Sequence, residues 1–94
     1  MKTSLIISTY NWPEALELVF KSVLYQTVSV DEIIIADDGS SRPTKSIIDN
    51  YRKVFIIPLK HIWNEDLGFR KTMILNKAYY AAFGEYIIQI DGDI

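Results

Sequence analysis

Two aspartates flank a glycine at Asp91-Gly92-Asp93, directly after the apolar run Tyr86-Ile87-Ile88-Gln89-Ile90. Carboxylates placed this way are hard oxygen ligands of the kind Mg²⁺ or Mn²⁺ prefers, and they leave coordination positions for the oxygens of a diphosphate. The same triplet is equally good turn chemistry, because Asp and Gly suit turns for backbone reasons alone. Asp37-Asp38-Gly39-Ser40 poses the same choice after the run Ile33-Ile34-Ile35-Ala36. It is either a turn that caps a helix, or a carboxylate that accepts hydrogen bonds from the imide of a uracil or from ribose hydroxyls. Tyr10, within Ser8-Thr9-Tyr10-Asn11, offers a ring for stacking a base or for packing at a rim. Further on, Asn64-Glu65-Asp66 is followed by Gly68-Phe69-Arg70-Lys71, which puts two cations at the start of an expected helix. They oppose the favourable sign of its dipole, which suits an anionic ligand or a solvated face. His61 and Trp63 fall in the same polar loop, where a lone histidine reads as a surface residue without a role.

Positioning these groups requires a sheet whose strand ends converge. Leu5-Ile6-Ile7, Ile33-Ile34-Ile35-Ala36, Val54-Phe55-Ile56-Ile57 and Tyr86-Ile87-Ile88-Gln89-Ile90 are short β-branched runs without polar alternation, as expected of strands covered on both faces. Asn11-Trp12-Pro13-Glu14 carries a cap, an early proline and an acid three residues after the cap. Leu16, Val19, Phe20, Val23 and Leu24 follow at helical spacing, predicting an amphipathic helix. A second helix is expected over about 43–52 with Ile47, Ile48 and Tyr51 as its stripe, and a third over about 69–83, closed by Gly84. The order β-α-β-α-β-α-β predicts right-handed crossovers and a three-layer α/β/α sandwich with a mostly parallel sheet. Ligands of such sheets bind outside the carboxyl ends of the strands, where Ser8, Asp38 and Asp91 stand. The chain reads as one incomplete domain over 1–94, truncated after its fourth strand.

Composition narrows the chemistry. Across 94 residues, ten basic against twelve acidic side chains give a formal charge of -2, without the basic footprint of a nucleic-acid binder. With no cysteine and one histidine, neither a disulfide framework nor a Cys/His zinc site is available, so a metal here must be held by oxygen. No apolar stretch reaches the length of a membrane span, and Met1-Lys2 leads straight into a strand-like run. The expected location is the cytoplasm, with a peripheral place at the inner membrane face open to it. No Gly-x-Gly-x-x-Gly follows the first strand, and neither a Gly-Lys-Ser/Thr loop nor a Gly-x-Ser-x-Gly elbow occurs.

Taken together, Leu5-Ile6-Ile7-Ser8-Thr9-Tyr10-Asn11, Ile34-Ile35-Ala36-Asp37-Asp38-Gly39-Ser40, Gly68-Phe69-Arg70 with Asn76-Lys77-Ala78, Gly84-Glu85-Tyr86-Ile87 and Asp91-Gly92-Asp93 resemble the N-terminal half of family-2 glycosyltransferases with the Rossmann-like GT-A fold. The resemblance implies a nucleotide-diphospho-sugar-binding region that holds a UDP-sugar through Mn²⁺ or Mg²⁺. In it Ser8 and Tyr10 border the nucleoside, Asp38 bonds the uracil and Arg70 reaches the nucleotide. Asp91 faces ribose and metal, and Asp93 ligates the metal. The segment from Asn64 to Arg70 is similar to that of chondroitin-polymerase-like and galactosyltransferase-like members, which implies a galactose-type or hexosamine donor and polysaccharide synthesis. The catalytic base of such enzymes, which attack with a saccharide acceptor hydroxyl, is expected beyond residue 94, so the chain alone is expected to be inactive. Alternatives are a non-catalytic nucleotide-binding module and, ranked lower, a haloacid-dehalogenase-type phosphatase, which needs its Asp-x-Asp on an early strand. Uncovered apolar faces on the fourth strand also predict self-association.

Overall fold

Alternate residues of a strand point to opposite faces, so an unbroken aliphatic run is stable only where both faces are covered. The computed structural model describes residues 2–25, 30–65 and 71–92. Its elements are β1 (Thr3–Thr9), α1 (Pro13–Tyr25), β2 (Glu32–Asp37), α2 (Arg42–Arg52), β3 (Leu59–Trp63), α3 (Lys71–Ala81) and β4 (Tyr86–Asp91). The strands form one parallel sheet in the order β3-β2-β1-β4. On one face Leu5, Ile7, Ile33, Ile35 and Leu59 pack against Leu16 and Phe20 of α1 and Ile48 of α2. On the other, Ile6, Ile34 and Ala36 pack against Ile74 and Ala78 of α3. The result is the three-layer α/β/α arrangement expected from the element order.

The third strand is displaced from its expected place. Instead of forming a strand, residues 54–57 turn away from α2: the N–H groups of Val54 and Phe55 both donate to the Tyr51 carbonyl. Phe55 lies edge-on to Phe20 with ring centroids 5.8 Å apart, while Ile56 is fully exposed. The strand is Leu59-Lys60-His61-Ile62-Trp63, so His61 and Trp63 lie on a strand and not in the polar loop. Its polar residues are tolerated because it is an edge strand whose inward groups find charged partners, Lys60 with Glu32 and His61 with Asp37.

The helices match more closely. Leu16 and Phe20 are buried on α1, but Leu24, expected in its stripe, is 42% exposed. Asn11 does not cap α1. Leu16 N–H donates to the Trp12 carbonyl, and the Asn11 side chain turns to Ser41. The third helix is described over Lys71–Ala81, and Phe69, its expected start, lies outside the described residues. β4 pairs with β1 at the second edge and is not covered on both faces, with Tyr86, Ile87 and Ile88 all exposed. No helix among the described residues is long and apolar enough to cross a membrane.

Candidate functional site at the strand ends

The register aligns the polar strand ends: Thr9 faces Asp37, Asp37 faces Trp63, and Ser8 faces Asp91. Because all four strands run the same way, these residues and the loops after them gather at one end of the sheet. Ser8 is buried, and its hydroxyl donates to Asp91 Oδ1 at 3.4 Å. Gly92 N–H donates to the Ser8 carbonyl at 2.7 Å. A Cβ on Gly92 would stand 2.7 Å from that same oxygen, so only glycine lets the chain after β4 lie this close to β1. This gives the residue between the two aspartates a packing reason as well as a turn reason.

Asp38 is only 5% exposed, and its N–H donates to the Thr9 carbonyl at 3.2 Å, tying the loop after β2 to the end of β1. Tyr10 is 40% exposed at the rim of the same end. The structure therefore brings Ser8, Tyr10, Asp38 and Asp91 to one end of the sheet, while Arg70 and Asp93 lie outside the described residues. Nearby, Thr9 Oγ1 and Asn64 Nδ2 are buried without a hydrogen-bond partner among the described residues. Unmade bonds in a buried place cost about 1–3 kcal/mol each.

Behind this front lie Asp37 and Ser40 of the quoted Asp37-Asp38-Gly39-Ser40 segment, joined by His61 and Trp63, to which the sequence assigned no role. Asp37, fully buried, accepts from Ser40 N–H at 2.9 Å through one oxygen and lies 2.8 Å from His61 Nε2 through the other. Ser40 Oγ accepts from Asn11 N–H at 2.7 Å, and Trp63 Nε1–H donates to the Ser40 carbonyl at 3.1 Å. The signal available for the two β3 residues was the alternation Leu59, His61, Trp63, which places them on one face. Beside this loop, a cavity of about 370 Å³ lined by Ser40, Ser41, Arg42, Lys45, His61 and Trp63 opens at the β3 edge, at the opposite side of the sheet from Asp91.

Among the described residues no three Asp, Glu or His side chains converge as a metal cage. The donor chemistry at the end of β4 nevertheless fits a hard cation. Mg²⁺ and its kin are commonly held by one or two carboxylates with substrate phosphates completing the shell. Asp91 supplies one such carboxylate at the described strand end.

Comparison with known proteins gives this geometry a context. The model of the family described as glycosyl transferase family 2 matches residues 4–94. An uncharacterized glycosyltransferase of Nostoc sp. is 36% identical over 93 residues, covering 99% of this chain and 28% of the relative. A cholesterol galactosyltransferase of Borreliella burgdorferi is 33% identical over 92 residues, covering 98% of this chain and 25% of the relative. The crystal structure of S. aureus TarS in complex with UDP superposes with a TM-score of 0.77 at 27% identity, covering 99% of this chain and 28% of that one. The chain thus spans about a quarter of the length of each of these three proteins.

Proposed function

Because this chain belongs to glycosyl transferase family 2, we propose that it forms the UDP-sugar-binding region of an enzyme that transfers a sugar to a saccharide hydroxyl. The observation that carries this reading is the parallel register that sets Ser8, Tyr10, Asp38 and Asp91 at one end of the sheet. The UDP held by TarS, a protein of similar fold, supports the choice of nucleotide. In this reading the Asp38 carboxylate accepts the uracil N3–H, the Tyr10 ring stacks on the base, and Ser8 and Asp91 border the ribose. Arg70 approaches the nucleotide, and Asp91 with Asp93 holds Mn²⁺ or Mg²⁺. A cation held there would supply positive charge to a departing diphosphate. Deprotonation of the acceptor falls to an acidic residue supplied outside this chain.

Base recognition is testable by substitution. Asp38→Asn should weaken UDP more than CDP, because cytosine lacks the N3–H that the carboxylate accepts. The Asn Oδ1 still accepts from N3–H but without the charge, so the loss is the difference between a charge-assisted and a neutral hydrogen bond, about 1 kcal/mol. In a calorimetric titration the loss for UDP should exceed that for CDP by roughly fivefold. Equal losses would remove Asp38 from base readout.

The exposed β4 edge carries a second expectation. Tyr86, Ile87 and Ile88 present apolar surface beside an open ladder, so chains of this length should self-associate through β4. Light scattering that finds a stable monomer at high concentration would contradict this.

A further inference from the structure

The apolar layer between the sheet and α1 and α2 holds a buried polar pair at its β3 edge. His61 lies on the same face of β3 as Leu59, and its side chain is 11% exposed against an Asp37 side chain that is 1% exposed. Replacing a buried polar pair of this kind with aliphatic residues is often neutral or stabilising, so stability alone does not account for it. What the pair does is orient a loop. As a carboxylate Asp37 only accepts, so His61 Nε2–H donates to Oδ2, leaving Oδ1 for Ser40 N–H.

Ser40 is then held from three elements at once. Its N–H is fixed by Asp37 of β2, its carbonyl by Trp63 of β3, and its hydroxyl by the Asn11 N–H that follows β1. Asn11 returns the contact, its Oδ1 accepting from Ser41 N–H at 2.7 Å and from Ser41 Oγ at 3.1 Å. Asn11 also has φ of 45°, in the left-handed region that asparagine enters more readily than other non-glycine residues. Tyr10 and Asp38 sit between these fixed points.

We infer that His61 and Trp63 are positioning residues of the nucleotide site: from the edge strand they clamp Ser40, and through it they set the Tyr10–Asn11 turn against Asp38. This deepens the reading of Asp38 and Tyr10 as base-binding residues and rests on it. Neither side chain need touch the nucleotide to act.

Three variants of the chain separate the clamp from simple destabilisation. His61→Leu removes the donor to Asp37, Trp63→Phe keeps a ring but removes the Nε1–H, and His61→Gln keeps a donor. Amide hydrogen exchange followed by NMR should speed up about fivefold or more at Ser40 and Asn11 in His61→Leu and Trp63→Phe, while Ile6 and Ile34 stay protected. UDP should bind about fivefold or more weakly in both, and His61→Gln should stay near the parent chain in both readouts. If His61→Leu does not fold, Trp63→Phe carries the same comparison. Unchanged exchange at Ser40 and Asn11, or an equal rise at Ile6 and Ile34, overturns the clamp. A parent chain that binds no UDP instead overturns the nucleotide reading, while the exchange result still decides the clamp.

Discussion

Glu32→Ala should destabilise the chain by about 3 kcal/mol at neutral pH, a large share of the roughly 5–14 kcal/mol expected for a domain of this size. Glu32 begins β2 and is fully buried, where it accepts from Ser4 Oγ at 2.6 Å and Phe83 N–H at 2.7 Å and pairs with Lys60 Nζ at 2.8 Å. These contacts tie β2 to β1, to β3 and to the segment that leads from α3 into β4. The alanine variant leaves the Ser4 hydroxyl and Phe83 N–H without their acceptor, while the Lys60 ammonium, on a side chain 38% exposed, keeps the Ala81 carbonyl, so the loss falls at the low end for broken buried pairs. Burial pushes the Glu32 carboxyl up, but hydrogen bonds from Lys60, Ser4 and Phe83 N–H outweigh it and hold the group below its ordinary 4.5. A depressed value means that this contribution is fully present above pH 4.5 and is lost as pH falls through the folded-state value. Urea melts at neutral pH and at pH values below 4.5 measure both effects. The variant should lose most at neutral pH and show a flatter acid limb. A loss below about 1 kcal/mol would mean that these hydrogen bonds contribute no more than a typical neutral one.

Glu32 also shows why some of the fold was readable in advance and some was not. Periodicity marked Ile33 to Ala36 as a covered strand because aliphatic residues report burial directly. The strand in fact runs from Glu32 to Asp37, and its charged ends are buried by partners distant in sequence. The same limit misplaced β3. Val54-Phe55-Ile56-Ile57 has the composition of a strand, yet only Phe55 and Ile57 pack against the core, and from a turn, whereas Lys60 and His61 occupy the sheet because Glu32 and Asp37 await them. Long-range pairing of this kind leaves no local periodic trace. At the candidate site, Ser8, Asp38 and Asp91 were legible because polar residues that follow apolar runs fall at the carboxyl ends of parallel strands. The parts of Asn11, Ser40, His61 and Trp63 were not, since they bond across three strands to one another or, for His61, to Asp37. Asn11 looked like a helix cap and instead braces the neighbouring loop.

Asp91→Asn should uncouple metal from nucleotide while leaving the fold intact, and Asp93→Asn should do the same. Asp91 ends β4 beside Ser8, where an amide still accepts from the hydroxyl but no longer offers a charged ligand. One or two aspartates hold Mg²⁺ or Mn²⁺ weakly on their own, because these ions keep waters and share their shell with substrate phosphates. Metal and UDP should therefore each tighten the other. Such coupling is reciprocal and typically about 1–3 kcal/mol, equivalent to roughly 5–150-fold in affinity, and either variant should remove it. Thermal melts should show little change, since a strand-end turn accepts Asn. The most direct measurement is a calorimetric titration of UDP into the chain, once with manganese and once with chelator, beside the same pair for Asp91→Asn. UDP should bind about 5–150-fold tighter with manganese in the parent chain, with no such difference in the variant; absent UDP binding, or equal affinity with manganese and with chelator, would contradict a metal-assisted nucleotide site.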